Sequence, residues 1–231
     1  MRTGVVDMPR YDKYIVGKKH LRLADGEYVD RRRYKDSIYF KSINKVVMHI
    51  DIPLIQLINQ GVNITTFRTL LVKQFNPATQ HIECPVCQAN LNSQKVRKVI
   101  DHNHTTGKVR GILCHSCNTS LGMLKENPEI INQAIAYLSI DFSNNITYQS
   151  VRKRKQLVQV YGDLVKQRSE TCRICGKNSQ VNKRRLAIDH SHNEGNIRDL
   201  LCSNCNTSLG FIKENKQSLA NMIKYLEQTN K

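Results

Sequence analysis

Two stretches of this chain repeat one chemical wording. The first runs Ile100-Asp101-His102-Asn103-His104, then Gly107, Arg110 and Leu113, with Asn118 directly after a cysteine. The second runs Ile188-Asp189-His190-Ser191-His192, then Gly195, Arg198 and Leu201, with Asn206 after a cysteine. A carboxylate and an amide oxygen are hard ligands suited to Mg2+ or a similar ion, which keeps several of its waters. A neutral imidazole beside them can take a proton from an attacking water. Asp, His and Asn together therefore make a hydrolytic set. The alternative is that they are ordinary polar loop residues, since one Asp-His-x-His means little by itself. Joint recurrence favours chemistry: neighbours such as Thr105/Asn193, Thr106/Glu194 and Gly111/Asp199 differ. Common descent accounts for part of the identity in either case.

The eight cysteines fall into four C-x-x-C pairs: Cys84/Cys87, Cys114/Cys117, Cys172/Cys175 and Cys202/Cys205. Two intervening residues let both sulfurs of a pair reach one metal at ~2.3 Å. Two pairs then make a closed, structural four-cysteine Zn2+ site. Disulfides and redox-active pairs are the competing readings, and paired spacing in a long chain with no signal peptide speaks against both. Sliding the chain by 88 residues superposes all eight cysteines without a gap, with 22 identities in 44 positions between 84–127 and 172–215. The chain thus holds two copies of one module, C-x2-C-x26-C-x2-C followed by a helix. In each, the zinc would fix the hairpin bearing Asp-His to the helix starting near Asn.

C-x-x-C, I-D-H-x-H, T-G-K-V-R-G-I-L-C-x-x-C-N and L-G together resemble the recombination endonuclease VII type of HNH, or ββα-metal (His-Me finger), nuclease. The resemblance covers about 84–138 and 172–226. It implies that the four cysteines of each copy bind zinc. Asp101 with Asn118, and Asp189 with Asn206, would bind the catalytic metal. His102 and His190 would act as general bases, and His104 and His192 would contact the scissile phosphate or the transition state. Phosphodiester hydrolysis would leave 5′-phosphate and 3′-hydroxyl ends. Such enzymes generally work as dimers, so a homodimer is one expectation and an internal pseudo-dimer another. The second copy departs from the usual wording with NEGNIRDLLC, which puts Asp199 where glycine is expected.

The rest of the chain must position these groups. An α+β fold is expected: an N-terminal DNA-binding domain over 1–78, a first module over 79–145, and a linker helix with the second module over 146–231. HLRLADGEYV reads as a hairpin and IYFKSINKVVMHI as two further strands. DIPLIQLINQG reads as a short helix capped by Asp51 and stopped by Gly61, and NITTFRTLLVKQFNP as a second helix. The pair is either a helix-turn-helix presenting Thr66, Arg68 and Lys73 to DNA, or a plain helical hairpin. Asn127-Pro128-Glu129 starts a capped helix, mirrored in the second copy by SLANMIKYL. QSVRKRKQLVQVYGDLVKQ joins the modules as a helix.

The net charge of +17 points to a polyanion. It is uneven: +7 over 1–78, +1 over 79–145 and +9 over 146–231. The expected DNA-binding residues are Arg31, Arg32, Arg33, Arg152, Lys153, Arg154, Lys155, Lys183, Arg184 and Arg185, with Arg110 and Arg198 in the modules. No stretch is apolar enough to span a membrane, and no signal peptide is evident, so an intracellular protein is expected. The preferred function is a metal-dependent DNA endonuclease with DNA as partner and Zn2+ and Mg2+ as cofactors. Branched DNA or a sequence-specific duplex would be cut, as by a junction resolvase or a restriction or homing enzyme. The rival is a non-catalytic tandem zinc-ribbon protein that binds nucleic acid.

Overall fold

The computed structural model describes residues 15–16, 20–22, 28–30, 36–41, 47–52, 64–93, 95–142, 146–151, 153–182 and 184–229. The fold is α+β, in two compact units over Met1–Asn118 and Thr119–Thr229. Among the described residues no helix is long and apolar enough to cross a membrane.

In the first unit, β1 (Ile15–Val16), β2 (His20–Arg22) and β3 (Tyr28–Asp30) form one antiparallel sheet. A separate hairpin pairs β4 (Asp36–Lys41) with β5 (Val47–Ile52), so Asp51 lies in a strand. The helix expected over 51–61 falls largely outside the described residues. Helix α1 spans Ile64–Gln74 and runs into the short pair β6 (Phe75–Asn76) and β7 (His81–Ile82). The side chains of Thr66 and Arg68 are also outside the described ones. Gln74 ties α1 to the site-bearing hairpin: its amide oxygen accepts from Ile112 N at 2.8 Å and its amide nitrogen donates to Ile112 O at 2.7 Å. Leu71, Ile82, Leu91 and Ile112 are fully buried around this clamp. Each such side chain contributes roughly 1.5–3 kcal/mol by leaving water.

That hairpin joins β8 (Lys98–His102) to β9 (Val109–Cys114) and leads directly into helix α2 (His115–Met123). Its tip turns on Gly107, at φ 70°, and on Asn103, whose side-chain oxygen accepts from Thr105 N and Thr106 N. Only glycine adopts that backbone without strain. The boundary between the units falls inside α2, after Asn118.

In the second unit, helix α3 (Pro128–Tyr137) starts where expected, with Asn127 accepting from Glu129 N and Ile130 N. A 3-10 turn (Gln149–Val151) precedes helix α4 (Arg154–Arg168). Next come a short helix α5 (Ser179–Asn182), the hairpin of β10 (Ala187–His190) and β11 (Ile197–Leu201), and helices α6 (Ser203–Phe211) and α7 (Lys216–Thr229). Despite Asp199, this hairpin keeps a left-handed glycine at its tip, Gly195 at φ 78°. The trailing helices of the two repeats, α3 and α7, pack on each other, with Ile131, Ala134, Tyr137, Leu219 and Met222 buried. Ser120 and Ser208, equivalent positions of the repeat, meet with hydroxyls 2.6 Å apart, one donating to the other, and each hydroxyl oxygen also lies 3.3 Å from the other residue's carbonyl oxygen. Reciprocal contact between equivalent residues is the signature of a two-fold axis. Here the axis is local and lies within one chain.

Candidate active site and metal clusters

The eight cysteines form two groups, Cys84, Cys87, Cys114, Cys117 and Cys172, Cys175, Cys202, Cys205. Within each group the sulfurs lie within 4.8 Å of one another. Cys87 Sγ is 3.6 Å from Cys114 Sγ, and Cys175 Sγ is 3.7 Å from Cys202 Sγ. A tetrahedron with ~2.3 Å bonds sets its sulfurs about 3.8 Å apart, so both groups suit zinc. All eight are free thiols, which removes the disulfide reading. The knuckles close by backbone bonds at matching places: Cys84 O accepts from Gln88 N at 2.8 Å and Cys172 O from Gly176 N at 2.9 Å. In the first group the hydrogen bonds among the sulfurs hold Cys87 and Cys114 below the ordinary thiol range and push Cys84 and Cys117 above it. A dication replaces this unequal sharing of protons with four thiolates.

Each zinc-type cluster pins one strand end and one helix start, with the Asp-His pair on the hairpin between. Both hairpins carry a register shift at that pair, between Asp101 and His102 and between Ile188 and His190. A bulge re-aims side chains that would otherwise alternate strictly across the strand.

In the second unit Asp189 is 4% exposed. Its Oδ2 accepts from the Tyr137 hydroxyl at 2.7 Å and from Arg198 Nη1 at 3.2 Å. Its Oδ1 accepts no hydrogen bond among the described residues. Burial pushes the carboxyl above its usual range, against the lowering by Tyr137 and Arg198. His190 is half-buried, and its ring stacks on Tyr148 at 4.3 Å and 14°. Residues 146–148 are laced to the hairpin tip by Tyr148 N to Gly195 O at 2.8 Å and Ile197 N to Ile146 O at 3.0 Å. Burial, and then the charge of His192, hold the His190 imidazole below the ordinary histidine range, which favours its neutral, proton-accepting form. His192 meets His190 edge to face at 5.2 Å. Its Nδ1 is 3.0 Å from Glu214 Oε1, and Arg198 Nη2 donates to Glu214 Oε2. A cavity of 360 Å3 opens beside this group, lined in part by Ser191, Asn193, Arg198, Lys213 and Glu214. Asn206 is half-buried in α6.

In the first unit Asp101 is 5% exposed. Arg110 grips it with a two-pronged pair: Nε donates to Oδ2 at 2.7 Å and Nη2 to Oδ1 at 2.9 Å. His102 and His104 meet edge to face at 5.1 Å. His104 is exposed, His102 is half-buried, and Asn118 is half-buried in α2.

Of the residues expected at DNA, Lys153, Arg154, Lys155, Arg184 and Arg185 are exposed. Arg185 covers the Tyr161 ring at 3.8 Å. Arg31, Arg32, Arg33, Arg152 and Lys183 lie outside the described residues. Arg110 and Arg198 are turned inward to Asp101 and Asp189, with side chains 0% and 10% exposed. Sequence reasoning passed over Tyr137, Tyr148 and Glu214. The recurrence of Glu126 and Glu214 at the 88-residue offset was a usable signal for the last.

Comparison with protein families finds recombination endonuclease VII matched twice, over residues 62–140 and 145–228. The chain is 45% identical over 56 residues to the Gene 59 protein of Mycobacterium phage L5, covering 24% of this chain and 34% of that protein. It is 43% identical over 56 residues to the Gene 59 protein of Mycobacterium phage D29, covering 24% and 33%. The chain thus spans about a third of the length of the curated relatives it matches. No solved structure matches it.

Proposed function

This chain belongs to the recombination endonuclease VII family, and from that premise we propose that it is a metal-dependent DNA endonuclease of the HNH type whose working carboxylate is Asp189. One observation carries the choice of repeat. Asp101 gives both oxygens to Arg110, whereas Asp189 takes its two bonds on Oδ2 alone. Oδ1 of Asp189 and the amide oxygen of Asn206 are hard donors, fitting Mg2+ or a similar ion. Such an ion would polarise the phosphate and steady the charge on the leaving 3′ oxygen.

The chain's own groups supply the rest. His190, whose neutral form is favoured by burial and whose ring stacks on Tyr148, accepts the proton of the attacking water. His192, exposed at the rim, contacts the scissile phosphate. Tyr137 and Arg198 fix the carboxylate from the buried side. Hydrolysis in line leaves 5′-phosphate and 3′-hydroxyl ends. In this reading the basic 1–78 region and the exposed cations of 146–231 bind the DNA backbone, around modules over 79–145 and 146–231. The substrate is branched DNA or a sequence-specific duplex. The first copy, with its carboxylate neutralised by Arg110, serves binding and architecture.

Asp189→Asn and Asp101→Asn test this, since asparagine keeps the shape and an acceptor oxygen while removing the charge. Asp189→Asn should abolish cleavage of both strands while DNA binding persists. Asp101→Asn takes the carboxylate charge from the buried Arg110 and should lower stability, yet the protein that stays folded by circular dichroism should still cut both strands. If each variant becomes a nickase, both copies are catalytic and the assignment to Asp189 alone is wrong.

A further inference from the structure

We infer that Glu214 is a positioning residue, which sets the direction and tautomer of His192 with one oxygen and restrains Arg198 with the other. This deepens the nuclease reading of the second copy and rests on it for its functional consequence.

The backbone makes the first point. After α6 the chain turns by paired bonds, Lys213 N to Gly210 O at 3.0 Å and Glu214 N to Leu209 O at 2.9 Å. Helices that end this way put a left-handed residue at the turn, and glycine is the usual choice because it has no Cβ to clash. Here Lys213 and Glu214 take that conformation at φ 53° and 54°. The first copy does the same, with Lys125 and Glu126 at φ 58° and 52° and matching bonds to Gly122 O and Leu121 O. A turn needs no carboxylate. Two successive strained residues, kept in both copies, indicate that the side chain is what the position is for.

The side chain makes the second point. The Glu214 carboxylate is 9% exposed, and both oxygens are engaged. Oε1 lies 3.0 Å from His192 Nδ1 and also accepts from His192 N at 3.4 Å. Oε2 accepts from Arg198 Nη2. A carboxylate on Nδ1 fixes the proton there and leaves Nε2 as the free nitrogen of the ring. That matters because the His192 side chain is 57% exposed, and beside Glu214 it meets the His190 ring only edge to face among the described residues. Arg198 is shared between Glu214 and a single 3.2 Å bond to Asp189. Glu214 thereby limits the hold of Arg198 on the carboxylate that the proposed ion would use.

The test uses the zinc-loaded full chain with Glu214→Ala, Glu214→Gln and Glu214→Gly. Imidazole 15N shifts of His192 are read above neutral pH, beside kcat and KM on cleaved DNA. Wild type should show the Nδ1–H tautomer and Glu214→Ala a shift toward Nε2–H. For Glu214→Ala, kcat should fall about 10- to 100-fold with KM little changed. Glu214→Gln, whose amide oxygen still accepts from Nδ1–H, should recover most of the loss. Glu214→Gly is the sharper arm, because it relieves the backbone yet should be as slow as alanine. An unchanged His192 tautomer in Glu214→Ala, or wild-type kcat in Glu214→Gly, overturns the inference. If wild type cleaves no DNA but the tautomer still shifts, the nuclease reading falls and the positioning of His192 by Glu214 stands.

Discussion

Replacing Tyr137 by Phe removes one hydroxyl and little else, which makes it a clean probe of how the second site is assembled. Tyr137 is 1% exposed, and its hydroxyl donates at 2.7 Å to Asp189, itself 4% exposed. The hydroxyl keeps its proton, because burial and then the Asp189 charge push its ionisation far up. Phenylalanine fills the same space, so no cavity term enters. The loss is one hydrogen bond to a buried charge, worth about 1.5–3 kcal/mol. With a denaturant slope of about 1–3 kcal/mol/M, the urea midpoint should fall by roughly 1 M near neutral pH. The pH dependence has a definite sign. Burial raises the folded-state pKa of Asp189 above its unfolded value. The charged group therefore opposes folding fully above the folded-state pKa, and that opposition fades as the pH falls through this raised value and is gone below the unfolded one. Tyr137 offsets the opposition, so its removal should cost more near neutrality than in mild acid. Urea unfolding of the zinc-loaded protein, followed by circular dichroism at both conditions, measures this. A loss below about 0.5 kcal/mol, or one that grows in acid, would refute the reasoning.

Two further predictions follow from the packing and the clusters. Ser120→Ala or Ser208→Ala alone takes the 2.6 Å partner from a buried hydroxyl, leaving it only the longer carbonyl contact, and should cost about 1 kcal/mol, while the double variant should cost less than the two added together. Strict additivity in a double-mutant cycle would deny that the hydroxyls pair across the local axis. Cys205→Ser should lower bound zinc from two ions per chain to one and unfold the second copy. Structural zinc contributes about 10–16 kcal/mol of apparent binding free energy, so two ions retained on elemental analysis would contradict the cluster.

What the sequence could show was whatever sits at fixed spacing. The four C-x-x-C pairs gave two clusters, and the 88-residue offset gave two copies that share hairpin, bulge and capped helix. Asn127 could be read as a cap because its partners, Glu129 and Ile130, are its near neighbours in the chain. What it hid was set by distance along the chain or by backbone angle. Tyr137 reads as a core residue of the first copy's helix, yet it reaches Asp189, 52 residues away. Tyr148 has no counterpart in the motif, and its place on His190 follows from three residues laid along the second hairpin. Arg110 and Arg198 look like DNA contacts by charge alone, and only the fold shows them spent on buried carboxylates. Glu214 hides best, because a left-handed turn is normally marked by glycine and here carries Lys213 followed by Glu214.

The central claim is that this chain hydrolyses DNA at the second copy with a divalent ion. Its most direct test is to incubate the zinc-loaded protein with end-labelled junction, mismatched and plain duplex DNA, with Mg2+ or with chelator, and to map the product ends. Mg2+-dependent cleavage leaving 5′-phosphate and 3′-hydroxyl ends, and lost in Asp189→Asn, is the predicted result. Binding without cleavage across several divalent ions would contradict it and leave a tandem zinc-stapled DNA-binding protein.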